Sequence, residues 1–199
     1  MHTDIRKTLV ALEKCLTDEG EPTQKQLHRM YDLTWRLMSQ VLAVSQDREM
    51  FGGSPARQEQ RTLAEQHSGG ENTGGVVTLT IREPLPAMKR LTEAMEEHWK
   101  AMLHAAISEA ARQEPLPRFE KAFVAIRIIT PKGSNNAKVW DTSNRAIQVI
   151  LNNLKGIFFQ DDDMEHMAFS VIGAWGQEGH TVIRIFDFGR LEQFGDCAL

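Results

Sequence analysis

The sequence predicts an α/β (α+β) fold, in which a small mixed sheet with two helices follows an N-terminal helical hairpin. Three observations support this prediction. Apolar residues recur at helical spacing in the first part of the chain, they alternate at strand spacing from residue 76 onward, and a glycine-containing segment separates the two parts. The resulting organisation is a helical hairpin at 1–47, a flexible linker at 48–75, an α/β domain at 76–190 and a tail at 191–199.

Residues 1–47 predict two helices with one apolar stripe each. The stripe of the first helix is formed by Ile5, Leu9, Leu12 and Leu16. The second helix opens with a capping-box pattern, in which Thr23 and Gln26 can each bond to the other's backbone N–H. Because such a hairpin cannot bury both stripes alone, we expect it to pack on the main domain or on a second copy of the chain. The alternative is a recognition module for a protein partner.

Residues 48–75 have the composition of a flexible linker. They contain few apolar side chains and six glycines, namely Gly52, Gly53, Gly69, Gly70, Gly74 and Gly75. We therefore expect this segment to connect the hairpin to the α/β domain without a core of its own.

From residue 76 onward the pattern predicts the order β-α-β-α-β-β. The predicted strands are 76–81, 123–129, 157–160, 167–172 and 181–186. The predicted helices run over about 91–110 and over 142–155, and Gly156 is placed to cap the second. The first helix carries Met95, Trp99 and Met102 as a packing stripe. A turn at 173–179 predicts that the last two strands form a hairpin.

Composition limits the classes of function. The net charge of −4 does not suit a generic basic nucleic-acid binder. Residues 118–145 nevertheless hold six basic and two acidic side chains, a local charge of +4. No apolar run approaches the ~18 residues of a membrane helix. The chain has two cysteines, Cys15 and Cys197, which lie at opposite ends and form neither a disulfide framework nor a zinc set. We expect a cytoplasmic protein with no membrane partner.

Four aspartates flank the second predicted helix. Asp141 precedes it, and Asp161-Asp162-Asp163 follow the return strand. A helix over 142–155 advances about 21 Å at ~1.5 Å per residue, and an extended return over 156–162 covers about 23 Å at ~3.3 Å per residue. Because these lengths nearly cancel, Asp162 is predicted to lie close to Asp141.

Clustered carboxylates repel one another unless a cation lies between them, and an all-oxygen site suits Mg²⁺. His166 is a weaker candidate ligand, since a strand position would turn it towards solvent. The alternative without a metal is that Asp141 caps the helix and that the acidic run is a solvated turn.

The order and spacing of these residues resemble a known signature. Asp141-Thr142-Ser143-Asn144 stands before the second predicted helix, and Asp161-Asp162 stands after it, with 18 residues from Asn144 to Asp162. Residues 76–188 thereby resemble the RusA-type Holliday-junction resolvases, a family of crossover-junction endodeoxyribonucleases. That family has the same β-α-β-α-β-β order, an Asp-x-Asp-Asn element, a lysine three residues past the Asn, and an Asp-Asp pair after the helix.

The resemblance implies a homodimer that binds branched DNA and cuts it with Mg²⁺, for which Mn²⁺ would substitute. Asp141 and Asp162 would be the catalytic metal ligands, with Asp161 or Asp163 in support. A bound cation would polarise a phosphoryl oxygen and lower the pKa of a water molecule. The DNA backbone would be held by three flanking basic residues, Lys132, Lys138 and Arg145.

The chain departs from the signature at two positions. Ser143 stands in the place of the second aspartate and supplies no charge, and Ile147 stands in the place of the lysine and has no ammonium group. The first alternative is therefore a catalytically impaired RusA-like module that binds DNA or protein. The second is a protein-interaction module whose working surface is the hairpin at 1–47.

Overall fold

The computed structural model describes residues 2–16, 22–52, 54–88, 91–131 and 146–193. These residues form helices and a five-stranded mixed sheet, so the predicted α+β class is confirmed. The helices are α1 (His2–Leu16), α2 (Gln24–Gly52), α3 (Ser54–His67), α4 (Glu93–Gln113) and α5 (Ile147–Leu154). The strands are β1 (Ser68–Thr73), β2 (Val76–Ile81), β3 (Ala122–Pro131), β4 (Met167–Gly176) and β5 (His180–Asp187).

The predicted N-terminal hairpin is present, with α1 packed along α2. The capping box forms as the sequence indicates: the Thr23 backbone N–H donates to Gln26 Oε1 at 2.8 Å, and the Gln26 N–H donates to Thr23 Oγ1 at 3.3 Å. Across the two helices, Thr8 Oγ1 donates to Gln40 Oε1 at 3.0 Å. Contacts between α2 and α4 attach the hairpin to the rest of the chain.

The prediction of a flexible linker at 48–75 was wrong, because this segment contains the end of α2, all of α3 and the edge strand β1. Three of its glycines have a conformation or a close contact that requires glycine. Gly74 and Gly75 have φ angles of 60° and 76°, the positive values that a two-residue hairpin turn between β1 and β2 requires. Gly70 lies so close to α4 that an added Cβ would overlap the carbonyl group of Ala106.

Polar side chains of α4 form hydrogen bonds with the backbone groups at the free edge of β1. The Gly70 N–H donates to Glu109 Oε2 at 3.0 Å and the Asn72 N–H donates to Gln113 Oε1 at 3.1 Å. In return, Gln113 Nε2 donates to the Gly70 carbonyl at 3.0 Å. A strand held in this way needs few apolar residues, which is why its composition resembled that of a linker.

The strand order is β1-β2-β5-β3-β4, with β3 and β4 parallel and the other described pairs antiparallel. The predicted hairpin of the last two strands was therefore wrong, because β5 lies between β2 and β3 while β4 pairs with the far side of β3. The chain crosses the end of β3 at Gly179, where an added Cβ would lie 3.1 Å from Pro84 Cδ and 3.3 Å from Pro131 Cδ. Glycine permits this close crossing.

The segment between α5 and β4 also differs from the prediction. Instead of a strand at 157–160, the chain turns at Gly156, whose φ is 78°, and forms one isolated bridge between Lys155 and Phe159. Phe158 and Phe159 are fully buried in this turn, which explains the strand-like apolar run. Helix α5 begins at Ile147 with Ala146 as its N-cap, whereas Asp141, the predicted cap, lies outside the described residues.

Helices α4 and α5 cover one face of the sheet. Met95, Trp99 and Met102 are fully buried there, as predicted. The opposite face has a smaller core at one end, formed by Phe123, Ala125 and Phe186 and extended by side chains that follow β5. None of the helices in the described ranges is long and apolar enough to span a membrane.

Candidate functional site

The acidic run lies in a turn, residues 161–166, which we call the acidic turn. It joins the region after α5 to the start of β4. The Met167 N–H donates to the Asp163 carbonyl at 3.0 Å, and the Ala122 N–H donates to the His166 carbonyl at 2.9 Å. These two bonds fix the acidic turn at the N-terminal ends of the parallel strands β3 and β4.

Asp163 organises the acidic turn. Its Oδ1 atom accepts the N–H groups of Glu165 at 2.9 Å and His166 at 3.0 Å, and it lies 2.8 Å from His166 Nδ1. The hydrogen bond from the His166 side chain is the main reason why the pKa of Asp163 lies below its ordinary value. His166 is thus turned towards Asp163 within the same turn.

Asp161 and Asp162 converge on one cation, the ammonium group of Lys155. Lys155 Nζ donates to Asp162 Oδ1 at 3.0 Å and also contacts Asp161 Oδ1. The hydrogen bond from Lys155 is the largest cause that lowers the pKa of Asp161 to about 2, and the bond to Asp161 is the largest cause that raises the pKa of Lys155. The carboxylates therefore have the cationic partner that their clustering requires.

Sequence reasoning missed Lys155. It lies at the C-terminal end of α5, directly before Gly156, where a positive side chain is favoured by the helix dipole. The sequence signal for this ion pair was a lysine at the end of a helix, a few residues before an acidic run. A lysine is therefore present at the acidic turn, but it comes from the end of α5 and not from the first turn, where Ile147 packs against the main core.

The acidic turn offers donors of the type that Mg²⁺ prefers. Two carboxylate oxygens already converge on one positive atom, so Lys155 Nζ stands where a divalent cation would be held by Asp161 and Asp162. Mg²⁺ commonly takes one or two carboxylates and completes its shell with water and substrate phosphates. Within the described ranges, no group of three or more acidic, histidine or cysteine side chains is placed to hold a metal.

The other predicted site residues lie outside the described part of the chain. These are Lys132, Lys138, Asp141, Ser143, Asn144 and Arg145. The length argument that placed Asp141 beside Asp162 does not hold, because α5 has 8 residues and advances only about 12 Å. The pairing of these two aspartates remains a prediction from the signature.

The described flanks constrain that pairing. The Ala146 N–H donates to the Pro86 carbonyl at 3.1 Å, and the neighbouring Leu85 N–H donates to Thr181 Oγ1 at 2.9 Å. Thr181 pairs with Ile128 in β3, whereas the acidic turn adjoins Ala122. The start of α5, which lies near Thr181, and the acidic turn, which lies near Ala122, are therefore about 20 Å apart along β3. For a shared metal ion, residues 141–145 would have to span most of that distance.

Replacing Lys155 with alanine is expected to raise the pKa of Asp161 from about 2 towards its ordinary value of 3.8. Because this pKa is depressed in the folded chain, the stabilisation that Asp161 provides is present above pH 3.8 and is lost as the pH falls towards 2. The substitution should reduce that dependence, since the hydrogen bond from the Asp162 N–H to Asp161 Oδ1 remains. Side-chain carboxyl chemical shifts in an NMR pH titration measure the pKa of Asp161 directly.

The matched control for this titration is Lys100→Ala, which removes a lysine that pairs with Glu96 and Glu97 on α4. It should leave the titration of Asp161 unchanged. An Asp161 midpoint that stays the same in Lys155→Ala would show that the ion pair does not set this pKa in solution.

Comparison of the chain with protein-family models, with curated proteins and with solved structures found no match.

Proposed function

We propose that this chain is a RusA-like, Mg²⁺-dependent endodeoxyribonuclease that acts on branched DNA such as Holliday junctions, in recombination or repair. The observation that supports it most directly is the convergence of Asp161 and Asp162 on a single cationic position. This acidic pair follows α5 in the order that the family signature requires. The same resemblance implies a homodimer, and the sequence composition leads us to expect it in the cytoplasm.

Exposure of the acidic turn supports this role. The side chain of Asp161 is 48% exposed and that of Asp162 is 34% exposed, so a DNA phosphate can approach both. Asp162 and Asp161 would hold the Mg²⁺ ion together with Asp141. When bound, the ion would supply an activated water molecule and neutralise charge on the scissile phosphate. Lys132, Lys138 and Arg145 would position the DNA backbone.

The test uses the full chain and a fluorescently labelled synthetic four-way junction. We expect cleavage in Mg²⁺ or Mn²⁺ that stops when EDTA is added and resumes when the metal is restored. A linear duplex of the same sequence is the control and should stay uncut. Junctions that remain intact in every divalent metal would contradict the enzymatic proposal.

A second candidate, a catalytically impaired RusA-like module that binds DNA, is favoured by two observations. Ile147, at the position of the family's lysine, packs against the core and has no charge to offer a phosphate. Lys155 already pairs with both carboxylates and offsets one of their two negative charges. In the same assay this candidate gives junctions that are retarded on a native gel but are never cut.

A further inference from the structure

The face of the sheet opposite α4 and α5 carries two arginines at its centre. Eight of the ten residues of β3 are buried, and the exposed one is Arg127. Because side chains alternate along a strand, Arg127 shares a face with Phe123 and Ala125, away from the main core. On the neighbouring strand β5, Arg184 likewise shares a face with Phe186.

The register places the two arginines next to each other. Arg184 pairs with Ala125, and Arg127 pairs with Val182, so the arginines are diagonal neighbours on adjacent antiparallel strands. Such neighbours lie roughly 7–8 Å apart, within reach of long side chains. Ile172 of β4 stands beside Arg127 in the same row.

A cavity of about 370 Å³ lies over these residues, and we call its lining the arginine face. Its lining includes Arg127, Ile129, Ile172, Trp175, Val182 and Arg184. No carboxylate occurs among the lining residues that the structure describes. The nearest acidic position in the row of Arg184 is Glu71, which lies two strands away on β1.

Arg127 is exposed on the face of the sheet opposite α4 and α5. Its neighbours Ile126 and Ile128 point the other way, into the main core. Arg127 forms no hydrogen bond or ion pair with another residue in the described part of the chain. A positive group kept in this place, beside aliphatic side chains, is suited to an anionic ligand that also has an apolar surface.

We infer that the arginine face binds the backbone of a DNA strand, with the guanidinium groups on phosphates. Guanidinium groups match phosphate oxygens through paired hydrogen bonds. Ile129, Ile172 and Val182 supply apolar contact area for sugars and bases, as binding grooves for nucleic-acid strands commonly do. This inference rests on the proposed function for the identity of the ligand, but it adds a binding surface separate from the acidic turn.

The test measures binding of the full chain to a labelled four-way junction and to a single strand, by anisotropy at several salt concentrations in EDTA. Arg127→Ala and Arg184→Ala should each weaken binding about tenfold and reduce the slope of log affinity against log salt by about one. Arg127→Gln, which retains size without charge, should behave as Arg127→Ala does. Arg127→Lys should recover part of the affinity.

Arg112→Ala is the matched control, because Arg112 is an exposed arginine in the last turn of α4, on the helical side of the molecule. It should leave binding and its salt slope unchanged, and circular dichroism should show that all variants are folded. Wild-type affinity in Arg127→Ala and Arg184→Ala would overturn this inference while leaving the nuclease proposal intact.

Two other outcomes separate the inference from the proposed function. Binding that needs both arginines, without any cutting in Mg²⁺, would support the arginine face and reject the nuclease. A wild-type chain that binds neither junction nor single strand would overturn both.

Discussion

Replacing Asp162 with asparagine is expected to reduce the rate of junction cleavage by about two orders of magnitude or more. Asparagine keeps the size of the side chain but removes the charge that would hold Mg²⁺ in the proposed nuclease, so the electrostatic stabilisation of the reacting phosphate would be lost. Junction binding in EDTA should change little. Single-turnover cleavage of a labelled four-way junction measures the effect, and the Mg²⁺ concentration for half-maximal rate should rise.

Two further variants separate a metal ligand from a structural residue. Asp162 also accepts a hydrogen bond from Lys155 at 3.0 Å, and its loss would disturb the acidic turn. Lys155→Met removes the same ion pair without removing a carboxylate, and it should keep cleavage or lower the Mg²⁺ requirement. Glu165→Gln, an exposed change in the same turn, should leave the rate unchanged. Equal losses in Asp162→Asn and Lys155→Met would contradict the metal-ligand role.

Elements with a strong local period were predictable from the sequence. The apolar stripe of α4 and the capping box of Thr23 and Gln26 determine structure through contacts within one helix or one turn, which spacing alone reveals. Strands β2 and β5 alternate cleanly because one of their faces packs on helices. These elements were sufficient to predict the fold class.

The errors arose where distant parts of the chain determine the structure. Strand β1 has little apolar content because its edge is bonded by Glu109 and Gln113, which lie in another element. The position of β5 between β2 and β3 depends on the crossing at Gly179. From the sequence alone, the short turn between β4 and β5 predicts that these two strands form a hairpin. The residues of a strand do not by themselves indicate which distant strand or side chain will pair with it.

The sequence indicated that the acidic run needs a cationic partner, but it did not indicate which residue supplies it. The need for a cation beside the carboxylates followed from charge repulsion, and Lys155 supplies it. The length argument failed because α5 begins at Ile147 and because the chain turns at once at Gly156. An error in the predicted N-cap therefore became an error in the predicted length of the helix.

Gly70→Ala is expected to destabilise the fold by about 3 kcal/mol or more, the upper end of what overpacking costs. The added methyl group would overlap the backbone carbonyl of Ala106, which cannot rotate away as a side chain would. Separating β1 from α4 would also lengthen the bonds from Gly70 to Glu109 and Gln113. Urea unfolding followed by circular dichroism measures the loss.

Gly69→Ala is the matched control for this prediction. At that position the nearest atom to an added Cβ is Glu109 Oε2 at 3.9 Å, the end of a flexible side chain. Alanine is also preferred over glycine in a strand interior by about 0.5–1 kcal/mol, so Gly69→Ala should be neutral or slightly stabilising. If the two variants lost equal stability, the close contact of β1 with α4 would not be the reason for glycine at position 70. A large loss confined to Gly70→Ala would establish β1 as part of the folded domain, which composition alone assigns to a linker.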